Sequence, residues 1–243
     1  MPPVVLYDIP TKAPPKAWSL NPWKNRMVLN YKGIDYRTEW VEYPDVRPTL
    51  KSFGLLPNDP NGPGYYTEYT IPAIRYEDGT YSMESWKIVQ ELEKQYPTPS
   101  LHLDDPITVQ VRDRISSILD PIRGVLIPRM PRGLLSEPSG EYIVRTREKQ
   151  FGMPLEQVEK ELGGEQAWKE VEQPAKEVAE LLKKNGGPFF LGKTISYADM
   201  ILASYLHFLK CVGGEDNFER FVALDSAFVA LYDASKELLA KDD

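Results

Sequence analysis

The residues of this chain best placed to do chemistry form two polar pairs, each in front of a helical run. Ser19 and Asn21 precede or adjoin Pro22, and Glu84 and Ser85 precede the segment that opens at Trp86. Asn21-Pro22 has the form of an N-cap followed by proline at the first helical position, so the pattern predicts a helix from Pro22 to Lys32. Amides exposed at such an end, with the positive pole of the helix dipole, stabilise an anion. A thiol bound there is activated by losing its proton to solvent while Ser19 Oγ donates a hydrogen bond to the thiolate, the nucleophilic form. Ser and Asn before a helix are also ordinary capping and turn residues, and from this pair alone both readings stand.

The second pair follows Thr70-Ile71-Pro72-Ala73-Ile74, which puts a proline at the start of a strand. There the absent N–H costs little, and a cis Ile71–Pro72 bond turns the Ile71 backbone toward the space before Pro22. Its N–H and C=O can then pair with a peptide. Ser85 is expected to cap the following helix and offer its amides to a carboxylate, while Glu84 receives an ammonium. A tripeptide with a cysteine thiol and a free γ-glutamyl end fits both places.

Placing those pairs together requires a particular set of elements. Val4 to Tyr7 reads as a strand, Asp35 to Val41 as a second, Ile71 to Tyr76 as a third, and Tyr81 to Met83 as its hairpin partner after the Asp78-Gly79 turn. Ser85 to Tyr96 is helical again. A parallel βαβ unit, a hairpin and a closing helix make a four-stranded mixed sheet of thioredoxin-like type. The prolines of Tyr96-Pro97-Thr98-Pro99 and Asp105-Pro106 cannot continue a helix. The expected organisation is therefore an N-terminal domain over 1–97, a linker over 98–105, and an all-helical domain over 106–243. Its helices are expected at Ile107 to Leu126, Gly140 to Phe151, Leu155 to Leu162, Ala167 to Asn185, Tyr197 to Val212 and Leu224 to Leu239, with Pro121 and Pro174 kinking helices or marking first turns.

Composition removes several alternatives. With 243 residues, 42% of them hydrophobic, the chain can bury a sizeable core. A net charge of -7 argues against nucleic acid or an anionic membrane surface as partner, since both attract basic proteins. The apolar runs fall short of the roughly 20 residues that span a bilayer, so no membrane span is expected. One cysteine, Cys211, and two histidines, His102 and His207, give no cluster at metal-ligand spacing. His207 lies on an apolar stretch and reads as a satisfied core residue. A lone cysteine and an opening MPPVVLYDIP without a leader pattern point to the reducing cytoplasm.

The stretch TIPAIRYEDGTYSMESWKIVQELEKQYP, Thr70 to Pro97, resembles the signature of the soluble glutathione transferases: a cis-proline strand, an acidic residue, a serine, and a helix ending in Tyr-Pro. PFFLGKTISYADMILASYL, Pro188 to Leu206, is similar to the family's helical-domain segment, and its Ser196 and Asp199 have capping-box spacing. Glu84-Ser85-Trp86 and the long loop before Pro22 most resemble the fungal-specific class related to bacterial β-aryl etherases. The resemblance puts Ser19 where the family's catalytic serine or cysteine stands. Leu20-Asn21-Pro22 departs from relatives with proline directly after that residue, so Asn21 shares or takes over the sulfur contact. Asn58 to Tyr69 is longer than the usual connection, and no residue holding the glycine end is carried over.

What the resemblance implies is a glutathione transferase with glutathione as co-substrate and no metal. Ile71, Pro72, Glu84 and Ser85 would hold glutathione, and its thiolate would attack hydrophobic, aromatic electrophiles or peroxides in detoxification. Serine in place of cysteine favours conjugation or peroxide reduction over mixed-disulfide exchange, with ether cleavage as a further side activity. The alternative is a ligandin-type protein that binds glutathione and aromatic compounds with little turnover. A homodimer is the family expectation. For the acceptor, Ile127 to Arg132 followed by Tyr142 is the suggestive stretch, with Arg129 and Arg132 to orient a phenolate or carboxylate and Trp23 near the site; solvated arginines at a helix end and a core tryptophan are the plainer alternatives.

Overall fold

In the computed structural model, which describes residues 3–62 and 65–242, the buried run Val4–Asp8 forms β1 in the interior of a four-stranded sheet of order β2-β1-β3-β4. Strand β2 (Tyr36–Trp40) runs parallel to β1, while β3 (Ala73–Arg75) pairs antiparallel with β1 and with β4 (Tyr81–Met83). The hairpin closes as expected: Tyr76 N–H donates to Thr80 O at 2.9 Å, and Gly79 takes φ 86°. Helix α1 (Leu20–Lys32) ends at Gly33, also left-handed at φ 64°. Alternation along β1 places two partners on opposite faces. Asp8 meets Arg26 of α1, and Tyr7 meets Phe53, just past α2 (Val46–Ser52), with ring centroids 5.0 Å apart.

Helix α3 (Ser85–Gln95) completes the N-terminal half, and residues 96–105 contain no helix or strand. Their path is pinned from behind. The buried Lys32 Nζ binds Glu93 Oε2 at 2.6 Å, Tyr96 O at 2.5 Å and Pro99 O at 2.8 Å. Asp105 then caps α4 (Pro106–Leu119) through the Ile107 amide at 2.9 Å.

From there the chain is helical apart from short connections. The single run expected over Ile107 to Leu126 is divided, because Pro121 lacks an amide and opens a 3-10 turn, Asp120–Ile122, between α4 and α5 (Arg123–Leu126). A π-helical segment, Met130–Leu134, leads to α6 (Glu137–Phe151), then α7 (Leu155–Leu162) and α8 (Glu165–Lys183), which carries Pro174 inside it. Helix α9 spans Tyr197–Val222 but breaks at Gly214, which has φ 75° and ψ 176°, so the expected end near Val212 falls at this break. The last expected helix is two, α10 (Ser226–Ala234) and α11 (Lys236–Leu239), separated at Ser235.

The first half of α9 is buried and backs α1. Trp23 meets His207 edge-on with centroids 4.6 Å apart, Trp18 stacks on Phe208, and Ser204 Oγ donates to Met27 Sδ. On the other side of α1, the Arg26–Asp8 pair at 3.0 Å is wholly enclosed, and Arg26 also donates to Thr38 Oγ1 of β2 at 2.9 Å. Breaking a buried pair by removing one partner strands a charge, at a cost of about 3–5 kcal/mol. Helix α1 is thus fixed against both the sheet and the helical half.

Candidate functional site

Ser19 occupies the N-cap position of α1 with extended backbone (φ -79°, ψ 134°), and its carbonyl accepts the Trp23 amide at 3.1 Å. Its hydroxyl makes no capping bond, so Oγ is not committed to the helix. This corrects the expectation that Asn21 is the cap and Pro22 the first helical residue. The helix begins at Leu20, one residue after Ser19, and Pro22 lies within the first turn. Proline is tolerated through that turn because those amides have no intrahelical acceptor, so it marks the turn without fixing its first residue. Asn21 is exposed, and its Oδ1 accepts from Lys24 Nζ at 2.8 Å. Lys24 is itself buried, and burial lowers its pKa to about 8 against the opposing pull of Glu84.

The Ile71–Pro72 bond is cis, and among the described residues no hydrogen bond engages the Ile71 N–H or C=O. Pro72 O accepts the Glu84 amide at 3.3 Å, and Asn25 Nδ2 of α1 donates to Ser85 O at 3.1 Å. These two bonds join the start of β3, the start of α3 and the first turns of α1. Glu84 has φ 78°, uncommon for a residue with a side chain, and its carboxylate accepts from Trp86 N at 3.1 Å and Lys87 N at 3.2 Å. The cap of α3 is therefore Glu84, and Ser85 is the first helical residue, a second correction. The left-handed backbone at Glu84 lets its longer side chain curl back over the helix end, where Ser85 was expected to do so. Ser85 is nearly enclosed, with Tyr197 from the start of α9 beside it.

Each residue expected on the acceptor side is engaged by a partner within the protein. Trp23 is only 1% exposed, wedged between His207 and the Arg26 guanidinium 5.5 Å from its ring, so it is a core residue with no face for a ligand. Arg129 donates to Gly213 O at 2.8 Å, at the break of α9, and Arg132 pairs with Glu159 at 2.5 Å near the surface. Tyr142 stacks on Tyr43, with centroids 5.7 Å apart and planes 4° from parallel. Glu42, beside Tyr43, accepts from Ser136 and Ser139 hydroxyls, so this corner fastens the end of β2 to α6. His207 Nδ1 lies 2.9 Å from the Tyr232 hydroxyl, and burial lowers its pKa to about 4, which keeps it neutral. Burial raises the Cys211 thiol to about 11, away from thiolate chemistry. No group of three or more His, Cys, Asp or Glu among the described residues has the arrangement to hold a metal, and none of the described helices is long and apolar enough to cross a membrane.

The sequence profile of the glutathione S-transferase N-terminal domain matches residues 18–95, and that of the C-terminal domain matches 111–231. The glutathione S-transferase-like protein ustS of Aspergillus flavus is 33% identical over 223 residues, spanning 84% of this chain and 79% of that protein. The chain belongs to the glutathione S-transferase family. Glutathione transferase GSTFuA2 from Phanerochaete chrysosporium superposes with a TM-score of 0.88 at 31% identity, each chain covered in full. The glutathione S-transferase CsGST63524 of Ceriporiopsis subvermispora, crystallised in complex with glutathione, gives a TM-score of 0.84 at 30% identity over 98% of both chains.

Two residues beside these helix starts escaped the sequence reading. Lys24 carried one signal, its spacing of three from Asn21, which puts both on one helix face. Tyr197 carried none, because a helical residue 112 positions away from Ser85 meets it only through tertiary packing.

Proposed function

We propose that this protein is a glutathione transferase in which glutathione lies across the N-termini of α1 and α3 and pairs with the Ile71 backbone. The convergence of these segments carries the reading: an uncommitted Ser19 hydroxyl at the start of α1, an unengaged Ile71 amide and carbonyl before a cis proline, and the first turn of α3 behind Glu84. The γ-glutamyl carboxylate meets the Ser85 hydroxyl and amide, its ammonium meets the outer face of the Glu84 carboxylate, and the cysteinyl portion pairs with Ile71. The sulfur then reaches Ser19 and Asn21, where the hydroxyl and the helix amides favour the thiolate.

In the transfer step the thiol proton leaves to solvent and the sulfur lone pair forms a bond to an electrophilic carbon of a hydrophobic acceptor. In a displacement, the leaving group departs with the electron pair of its bond to that carbon. The side chains lower the barrier by holding the anion next to the acceptor.

The two ends of the site separate experimentally. Ser19→Ala should raise the pKa of bound glutathione and lower turnover near neutral pH, with affinity changed only a few-fold, because the γ-glutamyl contacts are elsewhere. Ser85→Ala should instead weaken binding about ten- to a hundred-fold, as loss of a hydrogen bond to a charged carboxylate predicts. Thiolate absorbance titrated against pH, with calorimetric affinity in parallel, reads both. Glutathione affinity unchanged by Ser85→Ala, with thiol pKa unchanged by Ser19→Ala, refutes the assignment.

A further inference from the structure

The first turns of α1 hold a cation that the transfer step has not yet used. Lys24 is 7% exposed, and its ammonium, with three donors, makes one hydrogen bond among the described residues, to Asn21 Oδ1 at 2.8 Å. Helical side chains lean toward the N-terminus, which is how a residue three positions on reaches back to the opening turn. The carboxylate that acts on it is Glu84 at the start of α3, already occupied by the Trp86 and Lys87 amides, and Lys24 makes no ion pair within 4 Å among the described residues. The cation is therefore enclosed at the junction of α1 and α3 with spare donor capacity.

The contact also fixes the direction of an amide. An ammonium only donates, so the Asn21 oxygen must face Lys24, and the Nδ2 end is the one turned elsewhere. That end has no hydrogen-bond partner among the described residues, and Asn21 is exposed in front of the helix. We propose that Lys24 is a positioning residue for the thiolate site, holding Asn21 so that Nδ2 donates to the glutathione sulfur and adding buried positive charge behind it. The inference rests on the glutathione-transferase reading and deepens it. It assigns Asn21 a donor role beside Ser19 and identifies what keeps that donor in place.

Lys24→Met keeps the apolar stem and removes the charge, and Lys24→Arg keeps the charge. With folding confirmed by circular dichroism and melting, thiolate absorbance of bound glutathione is titrated against pH, and kcat and KM are measured with an aromatic chloronitro acceptor. Lys24→Met should raise the bound thiol pKa by about one unit, which lowers kcat up to about ten-fold at pH values below the parental pKa, with recovery as the pH approaches the shifted pKa. Glutathione affinity at neutral pH should stay within a few-fold. Lys24→Arg should recover part of the loss. In an Asn21→Ala background, Lys24→Met should add less than it costs alone, because the positioning part of its effect is already lost and only the charge remains. A folded Lys24→Met protein with the parental thiol pKa and pH profile overturns the proposal, as does full additivity with Asn21→Ala. Should Lys24→Met not fold, parental thiol pKa and kcat in Asn21→Ala overturn it instead. Failure of the parent protein to bind glutathione or ionise its thiol refutes the underlying reading, a result distinct from any of these.

Discussion

His207 gives the sharpest test of how α9 supports α1. Its ring is packed edge-on against Trp23, its Nδ1 faces the Tyr232 hydroxyl at 2.9 Å, and burial lowers its pKa from 6.5 to about 4. Between those values the unfolded chain binds a proton at this position and the folded chain does not. Stability from this group is therefore complete above the unfolded pKa and is lost as pH falls toward the folded one. The shift of about 2.5 units corresponds to roughly 3 kcal/mol in total, of which about 1.4 kcal/mol is lost by about pH 5.5. Asp8 and Asp199, each raised to about 6 by burial, act with the opposite sign, because the folded chain holds their protons more tightly and loses stability as pH rises through about 4 to 6. The parent alone thus shows a blurred profile, and the difference between parent and variant is the informative quantity. His207→Asn keeps a polar atom near Nδ1 without a titrating ring. Urea unfolding followed by circular dichroism should show the variant less stable near pH 7.5 by a constant packing cost, with the gap shrinking by about 1.4 kcal/mol at about pH 5.5. Parallel curves for parent and variant from about pH 7.5 to 4.5 refute the burial argument.

Asp199→Ala should cost about 3 kcal/mol, more than a simple cap, because its carboxylate accepts from Ser196 N, Ser196 Oγ and Phe190 N at 2.7 Å each and its loss strands buried donors. A melting temperature equal to the parent's refutes this. Glu84→Ala should lower stability by about 1–2 kcal/mol through loss of the α3 cap, and Glu84→Gly should lower it less because glycine adopts φ 78° without strain. Equal melting of both variants and the parent, by calorimetry, rules out the cap.

Much of the fold could be read in the sequence because its signals are local. Val4 to Tyr7 is a short continuous apolar run of the kind that forms a buried strand, Tyr81 to Met83 returns from the Asp78-Gly79 turn dipeptide, and Leu155–Leu162 matches its expected bounds. Errors of one or two residues at helix starts had a specific cause: Pro22 and Ser85 are compatible with more than one position in a first turn, and only backbone dihedrals select one. The expected end at Val212 falls at the Gly214 break, but the helical run that resumes to Val222 was not expected, because Gly213-Gly214 reads as a helix end. The acceptor residues failed for a different reason. Trp23, Arg129 and Arg132 were chosen by type, and type does not reveal that α9 covers the first, Gly213 takes up the second and Glu159 pairs with the third.

That failure says something about how the site is held. Its functional groups are contributed by the N-terminal half, yet the surfaces behind them belong to the helical half. Trp18, next to Ser19, stacks on Phe208; Trp23, one turn on, meets His207; and Ser85 lies against Tyr197. These three contacts lie along the first half of α9, whose N-terminus is tied by Asp199 and whose run is interrupted only at Gly214. Helix α1 cannot rotate or slide to move its first amides without disturbing them. Asn21 and Lys24 are on the same short helix as Trp23 and Met27, so the donor proposed to face a thiolate takes its position from packing at the other end of the sequence. Changes at Asp199 or His207 that loosen α9 should therefore reach the thiol pKa through α1, even though neither residue lies in front of the helix.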